Sequence, residues 1–262
     1  MIKFFQKIRY NLMETGKTTK YFKYAIGEIV LVVIGILIAL QINNWNDSRK
    51  QGIQEQLILK KLAIELSNDI IIIQEQINIG KVYVAEIKYC LDVLSNQKES
   101  TKTEFNKNFS NSLVMLGFDI NRTTFNGITE SRTIDYINNS RLVDSLNAFY
   151  NSNYKGWDNA IKDYTRNVIG PFLMNFDHLP QVNYDNYGGN SSGFLNSDFT
   201  RRDITKFEVP QKSLEDYKNS IFIINLLRQR LLLVEGQILH YGILEKKMAR
   251  LVNSITKEIN SH

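Results

Sequence analysis

Residues 29–40, "IVLVVIGILIAL", form an unbroken apolar run with no polar face. From residue 53 the pattern changes. Leu59, Leu62, Leu66, Ile70, Ile73, Ile77, Val84, Ile87, Leu91 and Leu94 recur at steps of three, four or seven, the spacing of one helical face. Lys60, Lys61, Asp69 and Glu75 fall to the other faces. The "DIIIIQ" stretch would suit a strand in isolation, but the helical pattern around it has no turn residues. Gly52 and Gly80 are weak points, each costing about 1 kcal/mol relative to Ala, and Gly52 is expected to act as a flexible joint. A second striped segment holds Leu214, Tyr217, Ile221, Ile224, Leu231, Val234, Ile238, Tyr241, Met248, Leu251, Ile255 and Ile259, with Ser213 and Asp216 opening it. Two long striped helices at opposite ends of a chain pack most simply antiparallel.

Between them the pattern is shorter-ranged. A short helix is expected near Phe105 to Leu116. In "TTFNGITESRTIDYINNSRLVDSLNAFYN", residues 123–151, Thr124 suits the cap of a short helix carrying Phe125 and Ile128. Ser131 to Thr133 then turn. Asn139 or Ser140 caps a long helix with Leu142, Leu146, Phe149, Trp157, Ile161, Tyr164 and Val168 on its face and Asp144 near its start, where a carboxylate suits the dipole. Gly170-Pro171 is expected to kink or end it. Residues 178–210, rich in Asn, Ser, Gly and Tyr, read as a loop; one this long is usually functional or disordered.

The apolar run has three readings. With its flanks it extends from Tyr24 to Ile42, 19 residues and roughly 28 Å at helical rise, about the thickness of a hydrocarbon layer. A signal peptide fits poorly, because the preceding segment is long and no small-x-small cleavage site follows. A soluble core helix fits poorly, because surface helices show a polar face. The span reading therefore stands, marked by Tyr24, Glu28, Gly35, Ala39, Ile42 and the interfacial Trp45. Glu28 is either a headgroup-level carboxylate or an ionisable group for a membrane partner. Gly35-x-x-x-Ala39 either packs two anchors closely or reflects the frequency of Gly in spans.

The expected fold is all-α: a transmembrane helix over residues 24–42 continuing into a long helical stalk, on the order of 100 Å, and an antiparallel helical hairpin or bundle outside the membrane. Residues 1–23 form a basic, amphipathic cytoplasmic segment. Residues 43–262 form the extracytoplasmic domain, with coiled-coil-like helices at 53–95 and 212–260.

Charge sharpens this picture. The net charge is +5, and residues 1–27 account for all of it through Lys3, Lys7, Arg9, Lys17, Lys20 and Lys23 against Glu14. A basic flank beside an apolar run is a membrane and topology signal, whereas nucleic-acid binding wants Lys and Arg spread over a folded face. Arg49, Lys50, Lys60 and Lys61 follow the span. The bias favours a cytoplasmic N-terminus and places the bulk of the chain on the other side of the membrane. In "MIKFFQKIRYNL", Met1, Phe4, Phe5, Ile8 and Leu12 share a face, which suits either an interfacial helix or, at this length, a frayed terminus.

Candidate chemistry is sparse. Cys90 alone forms no internal disulfide and reads as a buried apolar residue. His178, His240 and His262 form no metal-ligand pair at i, i+4. Asp185, Asp198 and Asp203 lack the spacing of an EF-hand. "YGGNSSG" lacks the Lys of a phosphate loop, and no G-x-S-x-G elbow exists. Glu65 with Asp69, and Glu215 with Asp216, are ordinary helical carboxylates. "IFIINLLRQRLLL" is not a second span, since Asn225, Arg228 and Arg230 would enter lipid. No catalytic, metal or cofactor site is expected, and no enzyme.

Residues 17–46, "KTTKYFKYAIGEIVLVVIGILIALQINNWN", resemble the N-terminal signature of an uncharacterised, domain-of-unknown-function family of single-span, N-terminally anchored helical membrane proteins of Gram-negative bacteria. Residues 123–151 resemble that family's aromatic-rich turn and following helix. The family usually has Ser-Gly at the turn; here Arg132 follows Ser131, which argues against a left-handed residue there. The resemblance implies a cell-envelope location and no activity. Two functions are expected from it and from the striped helices. One is an interaction or scaffold module whose partners are membrane lipid and a second copy or another membrane or periplasmic protein, with no nucleic acid. The other is a periplasmic sensory input subunit that binds a ligand through residues 178–210 and acts through a partner.

Overall fold

The computed structural model describes Tyr10 and residues 18–110, 114–177 and 211–261. The expected interfacial helix (apart from Tyr10), the loop at 178–210 and His262 lie outside the described residues. Every described element is helical: α1 Thr18–Leu94, α2 Lys102–Phe109, α3 Thr123–Glu130, a 3-10 turn Thr133–Tyr136, α4 Ser140–Tyr150, α5 Gly156–Tyr164, a π-turn Thr165–Ile169, α6 Gly170–Phe176, α7 Leu214–Lys218 and α8 Ile221–Asn260. The chain divides into two compact units, Met1–Leu57 and Ile58–His262.

In the second unit α1 and α8 run antiparallel. Lys88 pairs with Glu235 at 2.9 Å, a Cβ on Gly80 would stand 2.8 Å from Ile238 Cγ1, and Gln74 donates to Glu245 at 2.7 Å. The seam repeats every seven residues. Leu59, Leu66, Ile73, Gly80, Ile87 and Leu94 are buried along α1; Leu227, Val234, Tyr241, Met248 and Ile255 are buried along α8. A seven-residue period keeps one narrow stripe facing a partner helix over many turns. Burial of a leucine such as Leu59 or Leu62 contributes roughly 1.5–3 kcal/mol.

α3 and α4 complete one core cluster with the C-terminal half of α8, around Phe125, Leu146, Tyr150 and Met248. α2, α6 and α7 complete a second with the N-terminal half of α8, around Phe105, Phe109, Tyr217 and Leu227. α1 ends because Asn96 turns left-handed (φ 60°), so that Gln97 N–H reaches Asp92 O at 2.9 Å and Asn96 N–H reaches Val93 O at 3.2 Å. This closure satisfies the last carbonyls of the helix.

Several local expectations change. Gly80 is a site of close approach to Ile238 and Leu116 as well as a propensity cost. Gly52 lies inside continuous helix. Asp69 is buried, not on a solvent face, while Ile221 is 70 % exposed and leaves the inner face of α8 to Ile223, Leu226 and Arg230. The helix near Phe105 starts at Lys102, capped by Thr101, and stops at Phe109. Thr124 does not cap α3; the cap position is Arg122, which makes no side-chain cap bond. Arg132 is left-handed (φ 59°) although it is not glycine. Asn139 caps α4 through Leu142 N–H, but that helix ends at Tyr150, where the Asn-Ser-Asn sequence favours a turn.

Gly170-Pro171 does not end the helical path. Pro171 lacks an N–H and would clash with the carbonyl four residues back in an α-helix. The wider π-turn before it takes up the mismatch, and Gly170 N–H reaches Thr165 O. Ser213 and Asp216 form a full capping box, yet it opens only the one-turn α7; Ser220 caps α8 separately.

Candidate functional site: the apolar helix and two polar clusters

The first unit contains the apolar part of α1. Its large side chains from Ile29 to Ile42 are exposed on every side, from 47 % at Val33 to 69 % at Leu31. α1 is the one described helix long and apolar enough to cross a membrane. Leu37, Ile38 and Leu40 meet no protein partner that would bury them, so removing them from water requires an apolar medium. Glu28 is half-buried and engaged. Gly35 has open space where a Cβ would be, and Ala39 is exposed. Tyr24 lies on α1 by its backbone, its side chain being outside the described residues. Ile42 and Trp45 are exposed, and polar contacts follow at once, Asn43 to Asp47 at 3.1 Å and Lys50 to Asp47 at 3.9 Å.

In the second unit, one polar cluster fastens residues 121–124 to α1. Glu65 accepts the Thr124 hydroxyl at 2.7 Å and the Thr124 N–H at 3.2 Å, and Asp69 accepts Asn121 N–H at 2.9 Å. The N-terminal N–H groups of α3 lack intrahelical partners. Asn121 Oδ1 accepts the Thr123 N–H at 3.0 Å, and the Glu65 carboxylate from a neighbouring helix takes the next donor. Burial raises the Asp69 carboxyl above its ordinary value, opposed by the Asn121 bond and reinforced by Glu65. The Tyr150 hydroxyl is buried with no hydrogen-bond partner among the described residues. Burial, with the Glu65 and Asp69 charges, pushes its phenol up. Glu65 and Asp69 are helical neighbours in sequence; what they hold became visible only with α3 in place.

The other cluster joins the two described ends that flank residues 178–210. Asp177 accepts Lys212 N–H at 2.9 Å, Tyr217 OH at 2.8 Å and Lys102 Nζ at 3.1 Å. Lys102 Nζ also sits 3.4 Å from the Tyr217 ring centroid, a cation–π contact. Burial lowers the Lys102 ammonium, while Asp177 works against that fall. Phe105, Phe109 and Phe176 surround Tyr217 at ring separations of 5.0–5.6 Å. No sequence motif marked Asp177, because its partners lie 35, 40 and 75 residues away.

The remaining chemistry is structural. His240 bonds Tyr154 O at 2.9 Å. Cys90 is fully buried and burial pushes its thiol up, which disfavours the reactive thiolate. Arg230, buried in the fold, donates to Val114 O and Thr165 Oγ1. Among the described residues no group of three His, Cys, Asp or Glu could hold a metal ion. His178, Asp185, Asp198 and Asp203 lie outside the described residues.

No curated protein and no solved structure matches the chain. A family described as "Family of unknown function (DUF6090)" matches residues 28–166. The match begins at Glu28, on the apolar helix, and includes both Glu65 and Asp69 and the α3–α4 region that they hold. With more than half of its length inside that match, the chain belongs to the DUF6090 family of unknown function.

Proposed function

We propose that this protein is a membrane-anchored helical interaction or scaffold module of the bacterial cell envelope. Residues 24–42 span the inner membrane, the N-terminus is cytoplasmic, and the bulk of the chain is periplasmic. The observation that supports the anchor most is the fully exposed apolar surface of α1 between Ile29 and Ile42. The basic residues concentrated before it support the orientation. The long buried seam between α1 and α8, with no assembled catalytic set among the described residues, suits a non-enzymatic module that binds membrane lipid and a second copy or another envelope protein. Its helices are coiled-coil-like in their seven-residue repeat.

Carbonate-washed membranes from cells making the full chain should retain it; recovery in the soluble fraction overturns the anchor. Cys90 is too buried to report topology. A chain with Cys90→Ala and Lys81→Cys places a thiol on an exposed position of α1. An impermeant maleimide should label it in intact spheroplasts. Labelling only after lysis reverses the orientation.

A second reading is a sensory input subunit acting through a partner. It is favoured by Asp177, which ties together the described ends on either side of residues 178–210. Thermal stabilisation of the protein by a small molecule, in the absence of any protein partner, would select it.

A further inference from the structure

α4 and α8 border a solvent-open groove of about 320 Å³, lined by Ser145, Ala148, Phe149, Lys247, Arg250, Leu251 and Ser254. Its composition is divided. Phe149 and Leu251 are buried core residues that form an apolar floor. Lys247 and Arg250 stand at the rim, one turn apart on α8, with the Ser254 hydroxyl another turn on. Some basic side chains of this unit are held by acids, Lys88 by Glu235, Lys102 by Asp177 and Lys155 by Asp119. Among the described residues Lys247 and Arg250 have no acidic partner, and both face one groove. The acids closest to them along α8 are engaged, Glu245 by Gln74 and Glu258 by Asn139. Asp144 is not among the lining residues.

We propose that this groove binds a small amphiphilic anion, a phosphate monoester or carboxylate with an apolar group. Its anionic head is held by Lys247 and Arg250 with the Ser254 hydroxyl donating, and its apolar part rests on Phe149, Ala148 and Leu251. An ionised acceptor between two cationic donors gains charge-assisted hydrogen bonds, and a guanidinium matches a phosphate or carboxylate in a planar fork. The volume lies near the lower end of small-molecule sites, roughly 300–1,000 Å³, which fits a single ring or short chain with one head. The groove lies wholly within the Ile58–His262 unit, so the inference is independent of the membrane anchor and its assay fails separately.

The test uses the full chain in a nonionic detergent, which does not require membrane insertion, with phenyl phosphate as probe and calorimetric titration as the readout. Saturable binding is expected, with phenol and inorganic phosphate each weaker by about ten-fold or more, because each offers one half of the interaction. In Lys247→Gln/Arg250→Gln the affinity for phenyl phosphate should fall by about ten-fold or more. Both substitutions are at exposed positions, and an unchanged circular dichroism spectrum confirms the fold. Repeating the titration in the same detergent with an anionic phospholipid added separates two sources: suppressed binding assigns the site to lipid headgroups, and unchanged binding assigns it to soluble anions. Absence of saturable binding, or equal binding by the double variant, overturns the proposal.

Discussion

Trp157 lies against Gly236: a Cβ at that glycine would meet the indole ring at 2.4 Å. The missing side chain on α8 is what lets α5 come this close. Gly236→Ala therefore forces the indole to move and is expected to destabilise the protein by about 1–3 kcal/mol. Gly80→Ala makes a milder approach, 2.8 Å to Ile238 Cγ1, and gains helix propensity that offsets part of the repacking, so its cost should be smaller. Gly127→Ala in α3 has open space around it and should be neutral or stabilising by up to about 1 kcal/mol. Denaturant titration of the full chain in a nonionic detergent ranks the three; an equal effect of Gly236→Ala and Gly127→Ala would contradict the packing.

The Glu65–Thr124 contact adds a helix cap from outside the helix. Glu65→Ala removes the acceptor for two donors and should cost about 1–3 kcal/mol. Glu65→Gln keeps a carbonyl oxygen for one of them and should cost less. The same denaturation experiment measures both, and hydrogen exchange at Thr124 N–H should rise in the alanine variant.

Asp69 makes stability depend on pH in a defined direction. Its native carboxyl is raised above the ordinary value of 3.8, so the native state holds that proton more tightly than the unfolded chain does. The group's contribution is complete below the unfolded value and is lost as pH rises through the higher native value. Asp69→Asn retains an oxygen for Asn121 N–H and removes the titration. The melting temperature of the variant relative to the parent should therefore increase between about pH 4 and about pH 7. A difference that is flat, or that shrinks, over this range would show that burial does not raise this carboxyl.

Arg132 occupies a left-handed backbone position that costs a non-glycine residue roughly 1 kcal/mol or more. Arg132→Gly relieves that strain but loosens the unfolded chain. The net expectation is a gain of about 0.5–1 kcal/mol, read as a higher denaturant midpoint with an unchanged slope.

Leu37 lies within the apolar part of α1 and is 59 % exposed. Leu37→Arg adds a charge within the proposed span, at a cost of up to roughly 3 kcal/mol on insertion scales. The fraction retained by carbonate-washed membranes should fall, whereas Leu37→Ile should leave it unchanged.

The apolar helix, the all-helical class and most of the α1 and α8 stripes were legible from residue spacing. Each depends on a short-range repeat, and burying one face of a helix leaves that repeat in the sequence whatever the partner is. A cap at Asn139 or Ser140 and a helix start at Ser213 and Asp216 were legible for the same reason, as contacts within one turn, although the latter opens the one-turn α7 and not α8. What the tertiary structure alone decided is of another kind. Asp69 points inward because Asn121 N–H is there to donate to its carboxylate. Arg132 is left-handed although its residue type disfavours it. A π-turn carries the chain past Pro171, and a glycine in α8 makes room for an indole in α5. Those outcomes depend on groups brought together from distant parts of the chain, and one sequence records no distances between such groups. Local periodicity determined which segments are helices and which of them is apolar on every side; packing determined where their polar groups and glycines meet.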